Sequence, residues 1–296
     1  MKLIDFYNKA IEFGAKVDPR KNLKIDSYAD TAILYGQADR QIRKVLVGID
    51  IESSELLLAD RIREKEGLDL VLAHHPEGAC WAALYDVMQL QVDLLEGAGI
   101  PRIVAQKFLD ERKREVERRV LPNNHMRSVD AARLLDLPFM CVHTPADNHA
   151  SYYIDALMRK CKPSKVGDIV DILKGLPEYK EADKYATGPR VILGSPHRKT
   201  GKIFVEMTGG TEGSKDVFDK LYEKGIRTLV SMHLSEEHFK KVKEANLNVV
   251  IAGHISSDTL GLNLLLDKIE RQEKLSILTC SGFKRFKRDS AGSFNS

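Results

Sequence analysis

A short apolar run at residues 68–73 stops at two adjacent histidines, His74 and His75, followed by Pro76. Proline disfavours helical backbone at the residue before it, so the run is read as an extended segment ending at His75. Upstream, residues 44–49 (Lys-Val-Leu-Val-Gly-Ile) are short, apolar and β-branched and read as a buried strand, and Ser53 and Ser54 can cap a helix through Leu58 and Ile62. Strand, helix and strand in this order predict a parallel α/β unit, with the histidines at a strand end where such sheets place their sites. Adjacent imidazoles at a strand end point in opposite directions, so two neighbouring ions can take one each more readily than one ion can take both.

The arrangement recurs downstream. Residues 228–232 and 248–252 read as strands, and the second ends at Gly253-His254-Ile255-Ser256-Ser257-Asp258, where a histidine and a carboxylate four apart share a face if the stretch is helical. Between the two units a strand at 139–142 delivers His143-Thr144-Pro145-Ala146-Asp147. The three segments supply imidazoles and carboxylates in a mixture suited to two borderline or hard divalent ions. The expected class is α/β, with two halves facing one shared site. Residues 1–160 form the first half, with a helical insertion near 80–136, and residues 161–296 form the second half and a basic tail.

Helical periodicity covers 3–14, with 27–35 continuing that layer. A long helix is expected at 81–98 and a charged, exposed one at 107–119. Residues 178–190 read as a linker, and 208–214 as glycine-rich turn material opening a helix. Gly209, Gly210 and Gly213 do not complete a phosphate-binding P-loop, and a tight turn beside the site is the simpler reading.

Of the 296 residues 43% are hydrophobic, enough for a large core, and 46 basic against 43 acidic residues leave a charge of +3. So even a balance gives no reason to expect nucleic acid as a partner. The basic run Lys284-Arg285-Phe286-Lys287-Arg288 reads as a solvated terminus. Four cysteines without C-x-x-C spacing, and an N-terminus that is not a cleavable leader, point to reduced thiols. No apolar stretch approaches the roughly 20 residues that span a bilayer, so the expectation is a cytoplasmic protein with no membrane partner.

Ala73-His74-His75-Pro76, then His143-Thr144-x-x-Asp147, then Gly253-His254-x-x-x-Asp258 together resemble the NIF-three-like family, whose members often carry the label GTP cyclohydrolase type 2. The resemblance spans roughly residues 44–76 and 137–270. It implies two divalent ions, Zn, Mn, Fe or Co, in a cleft between two α/β/α halves, with His74, His75, Asp147, His254 and Asp258 as ligands. It also implies a homo-oligomer, with a hexamer as one form. Family members usually carry glutamate at the position of Asp258 and commonly Gly-Asp at Met232-His233. The implied activity is a metal-dependent hydrolase, cyclohydrolase-like on a nucleotide or other phosphorylated heterocycle, with His143, His233 and Glu77 as candidate proton carriers. The rival is a non-catalytic metal-binding regulatory or scaffold protein. In bland alternatives, His74 and His75 are ordinary strand-end residues, Asp147 caps a helix, and Asp258 is a solvated helix residue.

Overall fold

The structure, a computed structural model, describes residues 1–20 and 23–288. Its strands are β1 (Ala32–Tyr35), β2 (Lys44–Gly48), β3 (Leu70–Ala73), β4 (Phe139–Cys141), β5 (Arg190–Leu193), β6 (Lys202–Glu206), β7 (Ile226–Ser231), β8 (Asn248–Ile251) and β9 (Ser276–Thr279). They form two sheets, ordered β1-β4-β3-β2-β9 and β5-β8-β7-β6, in a mixed α/β fold. Each sheet has an antiparallel strand at one edge, β1 against β4 or β5 against β8, and parallel pairing beyond it. The first eight strands therefore repeat one four-stranded topology twice, and β9 adds a fifth strand beside β2.

Register explains why the strand ends matter. Gly48 pairs with Ala73, and Ala73 with Cys141, so β2, β3 and β4 finish level with one another. In the second sheet Glu206 pairs with Ser231, and Ser231 with Ile251. The residues after these strands leave the sheets side by side at their carboxyl ends, where parallel α/β sheets expose backbone and side chains to ligands.

Two helices, Thr144–Cys161 and His254–Glu270, contribute to the cores under both sheets. Ala146, Leu262 and Leu266 pack with Val45 and Leu72, whereas Ala150, Ile154 and Leu260 pack with Val205 and Val250. The helices also touch each other closely at Gly261. A Cβ there would lie 2.8 Å from the carbonyl carbon of Ala146, so only a residue without a side chain fits. That contact draws together the N-terminal parts of both helices, which carry Asp147 and Asp258.

Several expectations need correction. Residues 32–35 form β1 and do not extend the N-terminal helical layer. The long helix expected at 81–98 is three short ones, Ala79–Ala82, Leu84–Val87 and Leu90–Gly97. The charged helix, Arg102–Val120, is not fully exposed: Leu109, Val116 and Val120 pack with Leu229 and Val249 of the second sheet. The expected linker contains the helix Pro177–Asp183, whose Tyr179 is fully buried. The basic run is no solvated tail as far as Arg288. Arg288 makes two 2.7 Å bonds to buried Glu178, and Arg285 reaches Asp267 and Glu270. Four basic residues look solvated in a sequence because their carboxylate partners lie on helices far away along the chain. Residues 289–296 of that tail lie outside the described residues. Among the described residues no helix is long and apolar enough to cross a membrane.

Gly261→Ala sets two effects against each other. Replacing a mid-helix glycine ordinarily gains about 1 kcal/mol in helix propensity. Here the added methyl meets backbone, which cannot move aside, and overpacking of this kind costs about 1–3 kcal/mol. Urea unfolding of Gly261→Ala is expected to show net destabilisation, and a gain in stability would show that the helix contact is not tight.

Candidate metal centre

The residues following β3, β4 and β8 meet at one place. The His74 amide bonds to the Gly48 and Ile49 carbonyls, at 2.9 and 3.2 Å, and the His75 amide to the Ile49 carbonyl at 3.0 Å. The backbone is thereby held while both rings turn into the same space, with centroids 5.3 Å apart. His74 and His75 do not point to opposite sides as a regular strand would require, because the strand has already ended at Ala73.

Each of three imidazoles has its Nδ1 engaged from behind. His74 Nδ1 donates to the Val142 carbonyl at 3.1 Å, His75 Nδ1 meets Asp50 Oδ1 at 2.6 Å, and His143 Nδ1 meets Asp30 Oδ2 at 2.8 Å. Such contacts orient a ring and leave Nε2 to face the site. His74 Nε2 then lies 3.3 Å from Asp147 Oδ1 and 3.5 Å from Asp258 Oδ1. The other Asp258 oxygen, Oδ2, lies 3.4 Å from His75 Nε2 and 3.6 Å from His254 Nε2. His254 begins its helix directly after Gly253, whose φ of 109° suits a residue without Cβ, and the i, i+4 spacing puts His254 and Asp258 on one face.

Burial sharpens the picture. His74 Nε2, Asp147 Oδ1 and both carboxylate oxygens of Asp258 are buried and make no hydrogen bond within the protein. Buried polar atoms are rarely left so, and their convergence fits a bound cation. Three groups of donors lie close enough to hold an ion: His74, Asp147 and Asp258; His75, His254 and Asp258; and His74, His75 and His143. Asp258 belongs to two of these groups and is neither solvated nor a cap.

Protonation follows the same geometry. Burial disfavours charge on His74, but Asp258 and Asp147 outweigh it and raise its pKa well above the ordinary value. Burial likewise opposes charge on His75, and Asp258 and Asp50 push its pKa up to about 9. His254 goes the other way, down to about 4, chiefly through burial. Burial alone would push the Asp258 carboxyl up; the neighbouring His74 and His75 hold it well below the usual carboxylate range.

The chain matches no protein-family model and none of the curated proteins compared with it. Solved structures do match. A NIF3 superfamily protein from Sphaerobacter thermophilus is 28% identical, with a TM-score of 0.76 over 93% of this chain and 98% of that one. The chain is therefore similar to a NIF3 superfamily protein over nearly the whole of both chains. Reduced HcgD from Methanocaldococcus jannaschii, 17% identical with a TM-score of 0.53 over 94% of this chain and 97% of that one, shares the fold. So does TTHA1606 from Thermus thermophilus, 15% identical with a TM-score of 0.51 over 94% of this chain and 97% of that one.

Of the residues nominated from sequence, His74, His75, Asp147, His254 and Asp258 come together with His143. His233 lines the same cavity from the second sheet, its ring 4.7 Å from that of His254 and its Nδ1 3.5 Å from Glu212 Oε1. Glu77 does not line the cavity. Burial pushes its pKa up to about 7, and Ser128 bonds to it in opposition. Sequence reasoning missed Asp30, which is fully buried and accepts from the Thr144 hydroxyl at 2.6 Å as well as holding His143. It also missed Glu206 and Glu212 in the opposite wall. No spacing pattern ties Asp30 to a histidine more than a hundred residues away, so only the β1–β4 pairing reveals it.

An imidazole binds a metal only in its neutral form. His74 and His75 have raised pKa values, so each binds a proton at pH 7 that an arriving ion has to displace, whereas His254 is already neutral. Metal titration by calorimetry in buffers of different ionisation enthalpy is expected to show release of about two protons at pH 7, with apparent affinity strengthening as pH rises toward about 9. Binding without proton release would contradict this electrostatic picture.

Proposed function

We propose that this protein binds two divalent ions in the cluster and acts as a metal-dependent hydrolase. The observation that carries the reading is the set of four buried, unbonded ligand atoms on His74, Asp147 and Asp258. One ion would be held by His74, Asp147 and Asp258, and the other by His75, His254 and Asp258, so that Asp258 would serve both. His143 Nε2, 3.6 Å from Asp147 Oδ2, is a further donor beside the first ion. Zn, Mn, Fe and Co all suit this mixture of imidazole and carboxylate. Ions held there would supply Lewis acidity, lowering the pKa of a bound water and polarising an oxygen of a substrate.

The chain's own residues do the rest. Asp30, Asp50 and the Val142 carbonyl hold ring nitrogens so that the ligand atoms stay aimed, and Asp258 offsets the positive charge. His233, whose Nδ1 faces Glu212, is placed across the cavity to exchange a proton with a substrate. We read the cavity as a cleft between two α/β/α halves, supported by the converging carboxyl ends of both sheets. The substrate class that fits the family label is a nucleotide or other phosphorylated heterocycle, attacked in a cyclohydrolase-like step, by a homo-oligomeric enzyme.

One observation favours the non-catalytic reading. The cavity between the walls holds only about 40 Å³, room for a few water-sized species and not for a nucleotide. On the hydrolase reading the Thr208–Gly213 loop has to move for substrate to enter. On the regulatory or scaffold reading the site serves only ions.

Elemental analysis of variants tests the assignment. His75→Ala is expected to lose about one equivalent of metal per chain and Asp258→Ala about two, with each variant still folded. Unchanged metal content in both would refute the two-ion site. Metal-loaded protein that turns over no phosphorylated heterocycle, while keeping both ions, would favour the non-catalytic reading over the hydrolase.

A further inference from the structure

A second cavity, of about 1230 Å³, shares none of the metal cluster's ligands, although Thr208 lines both it and the cavity beside the cluster. It is bounded by the end of the N-terminal helix, the helix Leu90–Gly97, the outer face of Thr144–Cys161 and the free edge of β6. Its volume exceeds the roughly 300–1,000 Å³ of ordinary small-molecule pockets.

The walls divide by chemistry. Leu94, Ala156, Met158 and Phe204 make an apolar side. The floor is polar and closed on itself: Asn148 donates to Asp18 at 2.9 Å, Tyr28 donates to the same carboxylate at 2.9 Å, and the Thr208 hydroxyl donates to Asn148 at 2.6 Å. The rim is cationic. All three carboxylates lining the cavity already have arginine partners: Asp18 with Arg20, Asp93 with Arg102 and Asp155 with Arg159. Lys162 and Lys202 also line it; Lys202 donates to the Ala98 carbonyl at 3.3 Å, and among the described residues neither lysine has a carboxylate partner. A ligand that buries an apolar body against Leu94, Met158 and Phe204 and offers a negative head to the two lysines satisfies both walls. A cationic ligand would meet uncompensated positive charge, and a neutral one would leave the lysines without a counter-charge.

We propose that this cavity binds a small amphipathic anion, a carboxylate or phosphate carried on an apolar body. None of its lining residues is a candidate metal ligand.

Gly97 provides a clean test. It lines the cavity, and a Cβ built on it meets nothing within 4 Å, so a large side chain can enter the space without displacing backbone. The probe is decanoate, with 1-decanol as its uncharged counterpart, titrated calorimetrically into the full-length protein. Decanoate should bind at about one per chain and at least about tenfold more tightly than 1-decanol. Gly97→Trp should abolish that binding, and Lys162→Glu combined with Lys202→Glu should weaken it about tenfold or more, with melting temperature and metal content unchanged. Decanoate giving no heat, binding no better than 1-decanol, or binding unchanged to a folded Gly97→Trp protein would overturn the proposal. If Gly97→Trp failed to fold, the lysine pair would decide: loss of decanoate binding supports the site and undiminished binding refutes it.

Discussion

Two carboxylates, Asp147 and Asp258, are buried within reach of the same imidazole, and a protein interior tolerates that only when positive charge is supplied nearby. The cost of burying an unpaired ion is on the order of several kcal/mol even after relaxation. Histidines meet part of it, as the raised pKa values of His74 and His75 show. Asp258 nevertheless keeps both oxygens without a hydrogen bond, so imidazole alone does not complete its coordination. The pair of divalent cations we propose would.

The architecture brings these carboxylates together through repetition. Leaving β9 aside, each sheet uses the order of an antiparallel edge strand followed by three parallel strands, and in each the last of these in sequence, β4 or β8, leads into a central helix. The first such helix is entered through His143 and carries Asp147; the second starts at His254 and carries Asp258, with the same spacing of four. A carboxylate beyond the second strand of each unit also faces a histidine beyond the third, Asp50 with His75 and Glu212 with His233. Because the two helices touch at Gly261, the equivalent carboxylates of the two units end up in a single site.

Much of this was legible in the chain. The strands at 44–49, 68–73, 139–142, 228–232 and 248–252 announce themselves because buried parallel strands are continuous apolar runs, and the histidines close them. What escaped were features set by distant partners. β1 and β9 are short edge strands whose partially exposed residues carry little pattern, and their identity depends on β4 and β2 being there to pair with them. Asp30 and Glu206 look like any surface acid until the fold buries one and turns the other into the cleft wall. The run of basic residues at 284–288 misleads for the same reason, since charge in a sequence does not reveal that Glu178, Asp267 and Glu270 are waiting to pair with it. The breaks at Ala83 and Gln89 within the expected long helix follow no glycine or proline, and periodicity runs straight through them.

The most direct measurement is anomalous diffraction from crystals of the metal-loaded protein, collected on both sides of the absorption edge of the metal found by elemental analysis. The account requires two peaks in the cleft, one bounded by His74, Asp147 and Asp258 and the other by His75, His254 and Asp258, with Asp258 touching both. A single peak, or peaks that leave Asp258 without a metal contact, would contradict it.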